Sequence, residues 1–448
     1  MSPNTPKPTT AKLTPAQFQE ASTLLVEVLK FDAPTDVLLS AFFRHHPKIG
    51  GQDRGQIADC VYGVLRRLMA LRWLMPNATP RMLLALWLAR FQGLNQRDLE
   101  PLIREKDRAE LLEAKAKKLD EAPLEVHAEL PVWVVESLRV GSTNTGHDDT
   151  SILALGRSLQ TSAPLDLRVN SLKDSREAVL ELFTKHGIEA QPTPFSPWGI
   201  RIKTPLDLSR HVLFKKGVFE VQDEGSQLLA LLVGARRGEM VADLCAGAGG
   251  KTLALGAAMA SSGRLYAFDI SEKRLAKFSP RLKKSGLSNV TVQLINNEND
   301  TRIKRLAGKL DRVLIDAPCS GLGTLRRNPD LKFRQSPETL ASLTRTQASL
   351  IRAGAKMLKP GGRLVYATCS LLDAENMAIV SGFLGEHPEF KLVPARDILA
   401  TQRVELDTGD TLQLTPATHG TDGFFAAVLE KAVPKKSALE ETTLDKNT

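Results

Sequence analysis

Apolar positions follow two different rhythms along this chain of 448 residues. Up to about residue 140 they recur at spacings of three and four. Beyond about residue 219, short apolar runs alternate with amphipathic stretches. In "TPAQFQEASTLLVEVLK", Thr14 offers a capping oxygen and Pro15 suits the first helical position. Phe18, Ala21, Leu25, Val28 and Leu29 then fall on one face. "GQIADCVYGVLRRLMALRWLM" and "TPRMLLALWLARF" predict further helices, with Cys60 as core packing. The pattern predicts an all-α domain over residues 14–140, after a Pro-, Thr- and Lys-rich start (1–13) expected to be disordered.

"GSTNTGHDDTS" then reads as a polar hinge. "PLDLRVN" and "GIRIK" predict strands, and "SREAVLELFTKHG" a helix stopped by Gly187. These make a small α+β unit over residues 152–218. Over residues 219–432 the predicted strands are "EMVADLCA", "GRLYAFDI", "NVTVQLI", "DRVLIDAP", "RLVYATCS" and "GFFAAVLE". Helices lie between them, the longest capped by Ser336 and opened by Pro337. Such alternation predicts a doubly wound, mainly parallel α/β sheet of Rossmann-like type. Residues 433–448 are expected to be disordered.

Ligands of such a sheet bind beyond the carboxyl ends of its strands. The first strand leads into "DLCAGAGGKT", where Gly247, Gly249 and Gly250 permit a tight turn and close backbone approach. Asp269 ends the next strand, 22 residues beyond Gly247, and can accept from ribose hydroxyls. "GAGGKT" is too short for a P-loop. Dinucleotide and S-adenosylmethionine binding both remain open, and so does an NAD-dependent oxidoreductase.

Charge sharpens the picture. Between Asp300 and Arg363 stand 14 basic and 5 acidic residues, which accounts for the whole net charge of +9. A basic surplus of this kind suits a polyanionic partner. The four cysteines show no CxxC spacing, so no structural zinc is expected. Sparse free cysteines suit a reducing compartment. The first residues carry no apolar core, and no stretch reaches the ~18 apolar residues of a membrane helix. A cytoplasmic protein is expected, with no membrane partner.

Two of the cysteines end strands in the same way. Cys319 follows the fourth strand in "DAPCS", and Cys369 ends the fifth in "YATCS". Both are expected at the ligand edge, with Asp316 close before the first. A thiolate is a strong nucleophile. Addition of one to carbon 6 of a cytosine, with a carboxylic acid hydrogen-bonded to ring nitrogen 3, would activate carbon 5 toward a sulfonium methyl donor. A disulfide between the two is a lesser alternative.

At these residues the chain resembles the bacterial ribosomal RNA cytosine-C5 methyltransferases of the Rsm/Nop/Sun family. The matching pieces are "DLCAGAGGKT", "FDIS", "DAPCSGLGT", "RRNPDLKFR", "KPGGRLVYATCSLLDAEN" and "DGFFAAVLEK". "DRGQIADCVYGVLRR" is similar to the antitermination-factor-like helical RNA-binding domain of one branch, and "LDLRVNSLKDS" to the family's small RNA-recognition-like unit. The resemblance implies S-adenosylmethionine as cofactor, ribosomal RNA as partner and a monomer. It implies Cys369 as nucleophile, Cys319 as the group that assists release, and Asp316 at the cofactor and target-base interface. The donor site maps to Cys245, Ala246, Gly247, Ala248, Gly249, Gly250, Lys251, Asp269 and Asp316. Ala248 stands where the family usually has proline. "LINNEND" lacks the family's aspartate after the third strand, and Asn296 or Asn297 is the expected substitute for contact with adenine. Arg326, Arg327, Lys332 and Arg334 are expected to hold RNA phosphates. Gln222 and Asp223 are expected near the methionine end of the cofactor. The rival reading is a non-catalytic RNA-binding factor with a vestigial sheet.

Overall fold

The computed structural model describes residues 13–141, 146–203, 208 and 210–434. Both ends expected to be disordered, and residues 142–145 of the hinge, lie outside the described residues except for 13, 433 and 434. The chain forms two compact units. One comprises residues up to 162 together with 321–339, the other residues 163–320 together with the chain from 340 onward.

The first unit is helical, as the three- and four-residue spacing predicts. Its opening helix, Pro15–Val28, carries a capping box: Gln17 N–H donates to Thr14 Oγ1 at 3.2 Å and Thr14 N–H to Gln17 Oε1 at 2.8 Å. Phe18, Leu25, Val61, Leu65 and Leu84 are fully buried in the core. Gly63 lets the helix Gly51–Arg66 meet Trp87 closely, because a β-carbon there would sit 2.1 Å from the indole ring. Cys60 is buried in this core, and burial pushes its thiol up to about 12.

Two segments depart from the expected boundaries. The helix Asp149–Leu159 belongs to this unit and not to the α+β unit predicted from residue 152. Its Gly156 packs on Ala128, whose carbonyl oxygen lies 2.4 Å from where a β-carbon would be. An amphipathic helix declares which face is buried, but not which core receives it.

Residues 321–339 are the larger surprise. Phe333 lies 4.8 Å from Phe31, ring to ring, and Thr35 N–H donates to Asp330 Oδ2 at 3.3 Å. Lys332 is buried, and its ammonium donates to the Glu129 carbonyl and to Glu129 Oε2, both at 3.0 Å. Glu129 also accepts from the N–H groups of Met69 and Ala70 at 3.1 and 3.0 Å. Arg326 is buried too, and Arg334 pairs with Asp330 at 3.4 Å. The expectation that all four basic residues serve RNA phosphates is therefore corrected for Lys332 and Arg326. A buried ammonium committed to a carboxylate has no exposed face for a phosphate.

In the second unit the small sheet consists of β1 (Leu165–Val169), β2 (Ala190–Pro192), β3 (Gly199–Ile202) and β4 (Phe219–Val221). Its order is β2-β3-β1-β4, all antiparallel, so the α+β unit runs past its expected end at residue 218. Val179 and Phe183 of the helix Arg176–Lys185 pack with Leu167 and Phe219.

The large sheet contains β5 (Met240–Asp243), β6 (Arg264–Asp269), β7 (Val290–Leu294), β8 (Leu310–Asp316), β9 (Leu358–Thr368), β10 (Phe390–Val393), β11 (Leu412–Leu414) and β12 (Phe424–Lys431). Its order is β10-β12-β9-β8-β5-β6-β7, with β11 also on β12. β5 to β9 run parallel, whereas β10, β11 and β12 join antiparallel. The doubly wound expectation holds, and the order reverses direction between β5 and β8. That is where such a sheet opens a crevice for ligand. The small sheet is fastened to the large one. Asn170 Nδ2 donates to Ser285 O at 2.8 Å, and Glu220 pairs with Arg281 at 2.9 Å and Lys284 at 3.2 Å.

Asp243 ends β5 beneath the crevice. It is 1% exposed, and Thr252 Oγ1 donates to its Oδ2 at 2.7 Å while Oδ1 has no hydrogen-bond partner among the described residues. Burial, aided by the charge of Asp316, pushes its carboxyl up to about 7.

Two outcomes are expected. Replacing Lys332 by Met should destabilise the helical unit by roughly 3 kcal/mol, because Glu129 is left buried without its countercharge. Adding Glu129→Gln should recover part of that loss in denaturant titrations. Purely additive losses would show that the pair carries no coupling. Asp243 binds a proton on folding between its unfolded pKa of about 3.9 and its folded one. Its contribution should therefore erode as pH rises from about 4 to 7, by at most about 1.4 kcal/mol per pH unit. Asp243→Asn should gain on the wild type over that range and level off above it. A pH-independent difference in unfolding free energy would refute the neutral carboxyl.

Candidate active site

The donor end is built from the turn after β5. Gly247 (φ 56°) and Gly249 (φ 81°) hold left-handed conformations that side-chain-bearing residues resist. A β-carbon on Gly249 would lie 2.0 Å from the Phe278 ring, so the turn fits only glycine there. The helix Gly250–Ala258 starts at once, with its first N–H groups directed back into the crevice. Around Gly247 and Gly250 the space is open: a β-carbon would meet nothing closer than 3.9 and 3.7 Å respectively. That is the cradle a ligand needs for close approach to backbone. Arg281 supports it from below by donating to the Ala248 carbonyl at 2.6 Å. Ala248 thus makes the turn without the proline that the family usually has.

Asp269 closes the turn from β6. It is buried, and its two carboxylate oxygens accept from Gly247 N–H at 2.8 Å and Ser271 N–H at 2.7 Å. Its second lone pairs are the acceptors that remain for hydroxyl donors. Asn296 follows Ile295, whose N–H donates to the Asp269 carbonyl at 3.1 Å, so register sets Asn296 at the neighbouring strand end. Its own N–H is taken by Asp300 at 3.2 Å. Gln222 lies beside the donor turn, its Nε2 3.7 Å from where a β-carbon on Gly250 would sit; Arg168 Nε donates to its Oε1 at 2.6 Å, and it donates to Ser226 Oγ at 3.1 Å. Asp223 accepts from Gly225 and Asp422 N–H groups.

Lys251 joins the donor turn to the cysteines. Its ammonium donates to Asp316 Oδ2 at 2.6 Å. Burial alone would lower its pKa, but Asp316, with help from Cys369 and Asp243, raises it above the ordinary lysine value. This lysine therefore stays charged at the crevice.

Cys319 and Cys369 face each other, Sγ to Sγ at 3.3 Å, as free thiols. The Cys369 N–H also points at Cys319 Sγ, 3.3 Å away. The hydrogen bond with Cys369, burial and the charge of Glu375 hold the Cys319 thiol well above its usual range. Cys319 is thus kept as a protonated thiol beside its partner.

Sequence reasoning missed the floor of this site. Glu375 is fully buried and binds the residues that follow both cysteines, Ser320 and Ser370. Gln347, buried in the helix Pro337–Met357, donates to Glu375 at 3.0 Å and to the Pro318 carbonyl at 2.9 Å. "LLDAEN" carries two acids, Asp373 and Glu375, and nothing local tells them apart. Only the placement of Glu375 under two loops 50 residues apart reveals its use.

Comparison with known proteins agrees with this geometry. Residues 230–430 match the family described as 16S rRNA methyltransferase RsmB/F, and residues 130–209 match the RsmF/B-like ferredoxin-like domain. The chain is 30% identical over 452 residues to the probable ribosomal RNA small subunit methyltransferase B of Synechocystis, covering 92% of this chain and 99% of that one. It is 26% identical over 445 residues to the probable ribosomal RNA small subunit methyltransferase B of Bacillus subtilis, covering 91% and 97%. The crystal structure of a protein designated PH0851 superposes with a TM-score of 0.76 at 24% identity, covering 94% of this chain and 99% of that one. NSun6 from Pyrococcus horikoshii, solved with SFG, gives 0.59 at 21% identity over 68% of this chain and 99% of its own. Near-complete coverage at 30% identity, two matching domains in chain order and a glycine cradle of the right form place this chain in the RsmB/F family of S-adenosylmethionine-dependent 16S ribosomal RNA methyltransferases.

Proposed function

We propose that this protein transfers a methyl group from S-adenosylmethionine to carbon 5 of a cytosine in small-subunit ribosomal RNA, through a transient bond between Cys369 and carbon 6. The observation that carries this reading is the pair of thiols, 3.3 Å apart, at the ends of neighbouring strands and electrically linked to the Lys251–Asp316 pair. Methylation of cytosine at carbon 5 requires one nucleophilic thiol, one acid and a group that aids elimination, and the chain offers two thiols and Asp316 here.

The chain's residues divide the work. Backbone N–H groups of the Cys245–Lys251 turn and the Asp269 carboxylate would hold the cofactor, which supplies an electrophilic methyl group when bound. Asn296 is the proposed contact for its adenine. The Cys369 thiolate adds to carbon 6, and the electron pair of the 5,6 double bond moves toward ring nitrogen 3. Asp316, receiving a proton from the Lys251 ammonium that donates to it, passes one to that nitrogen and takes it back when the ring is restored. Carbon 5 is now nucleophilic and takes the methyl. Loss of the carbon 5 proton to a base then expels Cys369 and restores the ring. Cys319, held beside Cys369 as a thiol, assists that expulsion by giving the departing sulfur a proton donor. Of the basic residues after Cys319, Arg327 and Arg334 are retained as proposed phosphate contacts.

Replacing Cys369 by Ala should lower methyl transfer to RNA by about a thousandfold or more, since the assigned nucleophile is gone. Retained activity would remove the assigned nucleophile. Replacing Cys319 by Ala should instead trap a protein–RNA adduct, seen as a shifted band on a denaturing gel. Bisulfite sequencing of ribosomal RNA from cells with and without the protein should show one cytosine that loses protection. Arg327→Ala should weaken RNA binding evenly across sequences and reduce the salt slope by about 1. An unchanged slope would exclude it as a phosphate contact.

A further inference from the structure

Glu375 takes part in none of the steps above, yet it is the best-connected carboxylate under the site. Its Oε1 accepts from Ser320 N–H at 2.8 Å and from Gln347 Nε2 at 3.0 Å. Its Oε2 accepts from Ser320 Oγ at 2.6 Å and from Ser370 Oγ. Its carbonyl accepts from Tyr366 Oη at 2.6 Å. The next residue extends the arrangement: Thr368 Oγ1 donates to Asn376 Oδ1 at 2.5 Å, and Asn376 Nδ2 donates to the Ser370 carbonyl at 3.1 Å. Ser320 directly follows Cys319, and Ser370 directly follows Cys369. One side chain therefore grips the residue after each thiol.

We propose that Glu375 is a positioning residue that sets the separation of the Cys319 and Cys369 thiols by cross-linking Ser320 and Ser370. The inference deepens the reading of these cysteines as the reacting pair and takes its importance from it. A buried carboxylate costs several kcal/mol unless hydrogen bonds satisfy it. Here four donors converge on two oxygens, and bonds to an ionised acceptor are the stronger kind. All four incoming groups donate, so the site calls for a group that only accepts. An amide offers one accepting oxygen and a donating nitrogen, which would face a serine hydroxyl as donor to donor. The charge also lies close enough to Cys319 to favour its protonated form.

The test is the thiol–disulfide equilibrium of this pair in the full-length protein with glutathione. One molecule of oxidised glutathione takes the two electrons and two protons of the cysteines and leaves as two thiols, while one bond forms between Cys319 and Cys369. Peptide mapping by mass spectrometry follows this pair separately from Cys60 and Cys245. Closing 3.3 Å to a disulfide requires only a short approach while the loops are held. Glu375→Gln should release them and lower the equilibrium constant about tenfold, or about 30 mV. Its kcat for methyl transfer should fall by a similar factor, with KM for S-adenosylmethionine within about twofold of wild type. If Glu375→Gln fails to fold, the Ser320→Ala/Ser370→Ala double variant gives the same readout and should show the same shift. A folded Glu375→Gln protein, or that double variant, with an unchanged dithiol equilibrium overturns the proposal. A shifted equilibrium in a protein whose Cys369→Ala variant still methylates RNA would instead uphold the cross-link and defeat the assignment of the nucleophile.

Discussion

β8 and β9 run parallel and in step, with Ile315 opposite Tyr366 and Asp316 opposite Ala367. From that register follows the placement of every group assigned to the base. Each strand leaves the sheet within three residues of its cysteine. Neighbouring strands lie about 4.8 Å apart, so two loops that leave level strands must begin side by side. A slip of one residue would turn one thiol to the other face. The sheet therefore supplies the coarse approach of the sulfurs, and the buried carboxylate beneath them supplies the fine adjustment.

The same sheet explains why cofactor and base groups meet. Strand order reverses between β5 and β8, and the glycine turn leaves β5 while Asp316 leaves β8. Lys251, one residue into the helix that follows the turn, spans the gap to Asp316. An ion pair in such a place orients both groups and keeps a positive charge beside the thiols. Asp243 below it shows the cost of that arrangement. A second acid so near Asp316 is tolerated because burial favours its neutral form.

The helical unit follows a different logic. Its core is ordinary aliphatic packing, but it also takes in residues 321–339 through the buried Lys332–Glu129 pair. Such a pair contributes little net stability and becomes costly when half of it is removed. It specifies which segment docks more than how strongly. The basic surplus that pointed to a polyanion is accordingly less uniform than its sequence suggests: part of it faces inward.

The linear chain by itself determined the features that depend on local periodicity and on rigid local chemistry. Helix caps such as Thr14, the alternation that makes a parallel sheet, the glycines that alone tolerate positive φ beside Phe278, and the matching "PCS" and "TCS" strand ends were all legible, because each is settled within a few residues. Only the tertiary structure decided what depends on partners far along the chain. Nothing local singled out Glu375 and Gln347, which the fold buries beneath the two cysteine loops. Lys332 read as an RNA contact until Glu129, some two hundred residues away, claimed its charge. The helix at residue 149 read as the start of a new domain until Ala128 received its glycine face. A polar side chain looks the same in sequence whether water or a buried partner satisfies it, and folding alone makes that choice.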